Sequence, residues 1–274
     1  MLQQTQVDRV IPYYEEFLAI LPSVQALADT PPSVVITLWK GLGYNRRAVN
    51  LQRTAQAVME QFAGVFPSSP DELVKLPGIG PYTAGAIVCF AFEQPAVFLD
   101  TNMKRVLHRL VVGADLPHPT ATDRELLEYA RQLLPPDDAW RWNQALIEFG
   151  ALQCTARRPA CIVCPLQTQC AAFPAIQSVI AALPIGVRKK HEEPFAGSNR
   201  YFRGRIVDSL RAADGGEVPL STLGALVRDD YAAEHSEWLI GLVRDLERDG
   251  LAKVAEPRAT YSTAENNEPL VSLP

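Results

Sequence analysis

Cys154, Cys161, Cys164 and Cys170 lie within 17 residues, with six, two and five residues between successive thiols. Four thiolates that close together can wrap one compact metal centre, and a bound metal or iron–sulfur core enforces their deprotonation. The spacing leaves a four-cysteine zinc site and a 4Fe-4S cluster both open. The fifth cysteine, Cys89, stands alone in the apolar run PYTAGAIVCFAF and reads as a small core residue. An odd count with four members bunched points to a ligand set rather than a disulfide framework. Arg157 and Arg158 sit in the first loop of the quartet, where they face either a phosphate or solvent.

Two further constellations carry chemistry. In LPGIGPYTA, residues 76–84, a glycine-rich turn opens directly into a helix. Pro77, Gly78, Ile79 and Gly80 in such a turn aim backbone N–H groups and the positive helix end outward, which suits a phosphate. A plain connection between two buried helices is the competing reading. Asp100, in FLDTNMKRV, stands at the start of an amphipathic helix. Taken alone it is an N-cap. About 20 residues after the turn, and facing the same cleft, its carboxylate would stabilise a cationic sugar-like transition state.

These groups need rigid supports, and the chain supplies helices. Val7, Val10, Ile11, Tyr14, Phe17, Leu18 and Leu21 recur at three- and four-residue steps, with Pro12 expected to start or kink that helix. Leu51, Ala55, Val58, Met59 and Phe62 repeat the pattern up to Gly64 as a stop. Ser69-Pro70-Asp71-Glu72 has the signature of a cap, a first-turn proline and a capping-box Glu. Helices are expected at 81–92, 101–112, 122–134 and 139–151. Residues 184–199, rich in Pro, Gly and charge, break the periodicity. Three helical patterns follow at 200–212, 219–228 and 236–249. The extended stretches LAKVAEP and ATYSTAE complete what reads as a winged-helix-like module.

Composition bounds the partners. With 274 residues, 47% of them hydrophobic, the chain has the balance of a globular protein. No run reaches the ~18 apolar residues of a membrane span, and no signal peptide is visible, so the expectation is a cytoplasmic, nucleoid-associated monomer. The formal charge is −5. Nucleic-acid ligands usually meet a basic excess, so a DNA site has to be local. The acidity is mostly C-terminal: residues 196–274 hold 9 basic and 13 acidic side chains. The helix expected to enter a DNA groove carries Glu237, Asp245, Glu247 and Asp249 against Arg244 and Arg248, which favours a structural or protein-docking role for that module.

Taken in order, MLQQTQV, GLGYNRRA, LPGIGPYTAGAI, LDTNMKRV and the cysteine quartet resemble the helix-hairpin-helix (HhH-GPD) DNA glycosylases of the endonuclease III and MutY type. The likeness covers about 170 residues and implies a 4Fe-4S cluster on Cys154, Cys161, Cys164 and Cys170. It implies a mainly α, two-lobed fold: a helical barrel over 1–112 with the hairpin near 73–92, a cluster domain over 113–174, a linker over 175–199 and the winged-helix-like module over 200–274. Such enzymes flip a base from double-stranded DNA and cut its bond to the sugar. Strand-cleaving members have a Lys where this chain has Tyr82, so the resemblance points to a monofunctional enzyme that uses water. MLQQTQV and TAGAI look most like the MutY-type adenine glycosylases, which remove adenine opposite 8-oxoguanine or guanine. On that likeness Asp100, Asn102 and Tyr82 form the catalytic group. Gln3, Gln4, Thr5 and Tyr44 would contact DNA, with Gln4 as the wedge, alongside the hairpin 77–80, Arg157 and Arg158.

The chain departs from that pattern in three places. The family's general acid is a Glu two residues before the Met of MLQQTQ, and this sequence starts at that Met; Glu15 and Glu16 read as solvated and are no substitute. The expectation is a chain that starts too late, inactive or very weak as it stands, because general acid catalysis contributes ~10²–10⁴-fold. Asn45 replaces a second Tyr. No Nudix-like domain for reading oxidised guanine is recognisable in 196–274. A thymine or uracil mismatch glycosylase and a non-catalytic iron–sulfur DNA-binding protein are the alternatives.

Overall fold

The structure is a computed structural model that describes residues 1–3, 5–182, 194–213, 216–255 and 268–274. Among these the helices are α1 (Val7–Ile20), α2 (Val24–Asp29), α3 (Pro32–Leu38), α4 (Arg46–Phe62), α5 (Pro70–Leu73), α6 (Pro81–Phe90), α7 (Thr101–Leu107), α8 (Asp123–Leu133), α9 (Ala139–Leu152), α10 (Ala175–Ala182), α11 (Asn199–Ala212), α12 (Leu220–Val227) and α13 (Ser236–Arg248). The strands are β1 (Val218–Pro219), β2 (Lys253–Ala255) and β3 (Leu270–Ser272). The fold is mainly helical, as expected. The chain forms two compact units, Met1–Phe66 with Lys189–Pro274, and Pro67–Arg188.

In the first unit α1 runs unbroken through Pro12, which lies on its exposed side. The helix therefore does not start at Pro12, and it accommodates the missing donor where solvent reaches the backbone. Val10 and Phe17 point into a core with Leu21, Leu27, Val35 and Trp39, while Val7, Ile11, Tyr14 and Leu18 of the same stripe stay exposed. Short α2 and α3 escaped the periodicity reading; Ser23 caps α2 by accepting from the Ala26 N–H, and Pro32 opens α3. A six-residue helix holds under two turns, too few to display a 3.6-residue period. At the end of α4, Ala63 takes the left-handed conformation and the Gly64 N–H returns to the Val58 carbonyl at 3.1 Å, closing the helix as Gly64 suggested.

The C-terminal part of this unit packs α11, α12 and α13 around Ile206, Leu210, Leu223, Leu239 and Leu246, with Ile36 of α3 and Val49 of α4 in the same core. An antiparallel sheet in the order β1-β3-β2 closes it, with Val271 opposite Val218 on one side and Val254 on the other. The expected strand at ATYSTAE lies outside the described residues. The strand that pairs with β2 is Leu270–Ser272, and β1 is too short for alternation to be legible.

In the second unit α8 begins with a full capping box, Thr122 and Glu125 bonding each other's backbone N–H groups. At α5 the anticipated side-chain cap is absent. Ser69 holds the turn through its carbonyl, which accepts from Leu73 N–H at 3.0 Å. Residues 175–182, expected in the linker, form α10 with Ile176 buried, because the Ala- and Ile-rich run is helix-forming and the Pro/Gly signature begins only after it. The sequence boundary at 112 separates the hairpin from the cysteines, whereas both fall in this one unit. The reason is visible at the end of α7, where Arg105 and, just beyond the helix, Arg109 bond the backbone of the cysteine segment.

Candidate nucleic-acid interface and thiolate site

The hairpin is built from α5, the turn 76–80 and α6. Ile79 N–H bonds the Leu76 carbonyl at 3.2 Å across the turn, and Gly78 has φ 78°, a conformation that costs other residues about 1–2 kcal/mol. Gly80 is the N-cap of α6, with Pro81 at the first helical position and Ala84 N–H closing the first turn on the Gly80 carbonyl. Gly78 and Gly80 are exposed, so the first N–H groups of α6 open toward solvent.

Asp100 caps α7: its Oδ1 accepts from the Met103 N–H at 2.6 Å. The N-cap reading of Asp100 therefore holds, with a single carboxylate oxygen making the cap. The segment leading to Asp100 lies tight against α6. A Cβ on Gly85 would stand 2.7 Å from Cβ of Phe98, so only glycine permits this approach. Tyr82 stacks edge-on against Phe98 with centroids 5.5 Å apart, and its phenol is held above its usual pKa, first by burial and then by the Asp100 carboxylate. Tyr82 and Asp100 are thus brought together. Asn102 is on the same helix, its Oδ1 accepting from Arg105 Nη2 at 2.8 Å, and its Cβ is 2.7 Å from where a side chain on Gly150 would start.

All four cysteines of the quartet line one cavity, with Arg109 among its walls. Arg109 donates from Nη1 to Cys154 Sγ at 3.6 Å and to the Thr155 carbonyl at 2.8 Å, and from Nη2 to the Ala156 carbonyl at 2.8 Å. Its Nε pairs with Asp115 at 2.6 Å. Burial works to lower the Arg109 pKa, but Asp115 and Cys154 together raise it. Arg105 donates to the Cys154 carbonyl at 2.7 Å and to the Gly150 carbonyl at 2.6 Å. Burial raises the Cys154 thiol, against Arg109 and Arg105; Cys161 is raised by burial and then by the other three thiols. Because the four thiols line one cavity and a cation there would favour their deprotonation, the donor set fits a thiolate-bound metal group. Among the described residues no three His, Cys, Asp or Glu side chains converge closely enough to hold a single ion. Cys89 is wholly buried, with Asn143 Nδ2 donating to its sulfur at 3.4 Å, as a core residue should be. Arg157 and Arg158 are exposed.

In the first unit Gln3 is exposed, and Thr5 Oγ1 donates to the Leu42 carbonyl at 3.5 Å. Gln4 falls outside the described residues. Tyr44 is 57% exposed with φ 47°, an uncommon conformation for a non-glycine residue. Arg47 organises this edge. Its Nη1 donates to the Gln3 carbonyl at 2.6 Å, and its guanidinium lies 5.4 Å from the Tyr44 ring centre and 5.5 Å from that of Trp39. Burial lowers the Arg47 pKa, and its Nε is buried without a hydrogen-bond partner. Sequence reasoning overlooked Arg47, Arg105 and Arg109, since an arginine beside a motif has no spacing signal that separates it from a solvated charge.

Residues 1–132 match the family model of the HhH-GPD superfamily base excision DNA repair protein. The chain is similar to the adenine DNA glycosylase of Mycolicibacterium smegmatis, 40% identical over 213 residues, covering 77% of this chain and 69% of that protein. It is also similar to those of Buchnera aphidicola, 39% identical over 71% of this chain and 54% of the relative, and of Mus musculus, 43% identical over 67% and 36%. It therefore spans between 36% and 69% of the length of these relatives. Among solved structures it resembles a thermostable thymine-DNA glycosylase, with TM-score 0.58 and 29% identity over 63% of this chain and 79% of that one. It also resembles endonuclease III in a non-covalent complex with DNA, with TM-score 0.54 and 26% identity over 61% and 77%. With its helical fold, its glycine hairpin and Asp100 beside Tyr82, the chain belongs to the HhH-GPD superfamily of base excision DNA repair proteins, in the adenine DNA glycosylase family.

Proposed function

We propose that the protein is a monofunctional DNA glycosylase that hydrolyses the bond between adenine and its sugar in duplex DNA, with adenine opposite 8-oxoguanine or guanine as substrate. The observation that carries this is the Asp100 carboxylate beside Tyr82, in the unit that holds the hairpin. As the base leaves, positive charge develops on the sugar, and a fixed carboxylate stabilises it through Coulomb attraction that strengthens where water is excluded. Tyr82 offers no amine, so no Schiff base forms at that position, and the raised phenol pKa keeps it neutral and able to donate. Asn102, locked by Arg105, orients groups around the sugar. The hairpin amides near Gly78 and Gly80 and the exposed Tyr44 and Gln3 grip the backbone and bases, with Gln4, Thr5, Pro77, Ile79, Arg157 and Arg158 as further contacts.

Cys154, Cys161, Cys164 and Cys170 would hold a 4Fe-4S cluster, which would cross-link the 154–170 segment that Arg105 of α7 and Arg109 just beyond it already bond. The order α11, α12, α13 followed by the small sheet supports reading the C-terminal part as a winged-helix-like module.

The test is adenine release from an adenine:8-oxoguanine duplex by this chain and by the same chain carrying a Glu placed two residues before Met1. The second form is expected to be faster by ~10²–10⁴-fold. Asp100→Asn in that form should abolish release while leaving duplex affinity and folding nearly unchanged, because Asn caps helices as well as Asp does. Retained turnover by this variant would overturn the assignment of Asp100. The likeness to a thymine-DNA glycosylase favours a second reading, removal of thymine or uracil from mismatches, and release measured on defined A, T and U mismatches separates the two.

A further inference from the structure

We infer that the C-terminal part of the first unit contributes to DNA binding through α11, by completing a basic groove that takes a phosphate backbone. A groove of about 690 Å³ is lined by Gln3, Tyr44, Arg46 and Arg47 from the N-terminal residues and by Arg200 and Arg203 from α11. Its one acidic lining residue is Asp249, which pairs with Arg203 at 2.5 Å and with Arg46 at 3.6 Å, and Arg203 also meets Asp245 at 3.9 Å, so four cations face two carboxylates. This local excess stands in a chain of formal charge −5. A polyanion is the ligand that such a site selects, since each neutralised phosphate releases condensed counterions. Arg200 is exposed and stacks on Phe195 at 4.9 Å, and Arg46 is 67% exposed, so both guanidiniums are within reach of a ligand.

The groove is also rigidly built. Arg211 of α11 donates from Nε and Nη2 to the Ile36 carbonyl at 3.1 and 2.8 Å, and from Nη2 to Asn45 Oδ1 at 3.0 Å. Ser33 N–H bonds the carbonyl of Pro274 at 3.0 Å. Asn45, which stands where many adenine glycosylases have a tyrosine, is thus the residue that α11 holds, and the adjoining Tyr44 is braced by it. The acidic residues of α13 that argued against DNA contact remain acidic; the basic face belongs to α11. The occupant follows from the walls: Gln3 and Tyr44 are residues that the functional reading assigns to duplex contact, so the strand passing them continues over Arg46, Arg200 and Arg203. The inference rests on that reading for the identity of the polyanion as duplex DNA.

Gly204 provides a clean test, because it lines the groove in mid-helix and a Cβ there would meet nothing within 4 Å. Anisotropy with a short labelled duplex lacking a mismatch, measured across a salt series on the full chain, is expected to rank the variants by charge. Gly204→Glu should weaken binding by roughly tenfold, Gly204→Gln should stay within about twofold, and Gly204→Lys should tighten it and steepen the log–log salt slope by about 0.9. Arg46→Ala with Arg200→Ala should flatten that slope by about 1.8. Arg131→Ala, an exposed arginine of α8, is the control that leaves affinity and slope alone. Equal binding by the three Gly204 variants, equal loss with Gln and Glu, or an unaltered slope in the double variant would each overturn the groove. Adenine release by the form carrying a Glu two residues before Met1, scored alongside, separates the two ideas: charge-ranked affinity without release by that form leaves the groove and removes the glycosylase, and release with charge-blind affinity does the opposite.

Discussion

Both units anchor a functional segment with buried arginines, but they do so under different electrostatic terms. In the second unit Arg109 is 2% exposed, paired with Asp115, and donates to two carbonyls and a thiol of the cysteine segment. In the first unit Arg211 has a carboxylate partner, Asp208, that is itself 60% exposed, and Arg47 is held by carbonyls and ring faces with its Nε unpaired. The difference teaches where each segment gets its rigidity. Arg109 is desolvated beside a carboxylate that is only 15% exposed, Arg211 is desolvated at 4% exposure mainly by carbonyl and amide partners while Asp208 keeps access to water, and Arg47, with no carboxylate, forfeits part of its bonding. The cysteine segment is therefore anchored firmly in advance of any metal, and the edge that carries Gln3 and Tyr44 is anchored with less reserve.

Substitutions at the three arginines test this contrast. Arg109→Ala should have the largest effect, a loss of roughly 3 kcal/mol in urea unfolding together with reduced iron content of the purified protein, since it strands Asp115 and three acceptors. An equally stable variant with full iron would mean that the pair is dispensable. Arg211→Ala should cost about 2 kcal/mol through the orphaned Ile36 carbonyl, because Asp208 can turn to water. Near-native stability there would break the claim that α11 braces the 36–45 region. Arg47→Ala should be mildest in stability, about 1 kcal/mol by the same assay, because its Nε already lacks a partner. It should nevertheless weaken duplex binding measurably by freeing residues 1–3, and unchanged duplex affinity would show that Tyr44 and Gln3 are positioned by other means. Should Arg47→Ala prove more destabilising than Arg109→Ala, the contrast itself would be inverted.

The sequence was most informative where chemistry is local. The long periodic helices were legible because burying one face of a helix imposes a repeat that any 11- to 18-residue window reveals. The quartet was legible because ligands for one centre are cheapest to supply from one short segment, and the hairpin because only glycine tolerates φ 78° at Gly78 without strain. Strand β2 falls within LAKVAEP as expected, but the short helices α2, α3 and α10 and the strands β1 and β3 were not legible, since so few residues display no period and their existence depends on the partners they pack against.

What the sequence alone determined is which residue types stand at each position; by likeness it pointed to Asp100, Tyr82, the 77–80 turn and the four thiols as the candidate site. The tertiary structure decided their company. Gly85 brings Phe98 and hence Asp100 against α6; Arg105 of α7 and Arg109 just beyond it bind the cysteine segment; and Arg211, 175 residues from Ile36, ties α11 to Ile36 and Asn45, beside a groove whose walls come from the two ends of the chain. Such pairings are invisible in one chain because hydrogen bonds and Coulomb forces act through space, and a residue's distance along the backbone says nothing of its neighbour across a packed core.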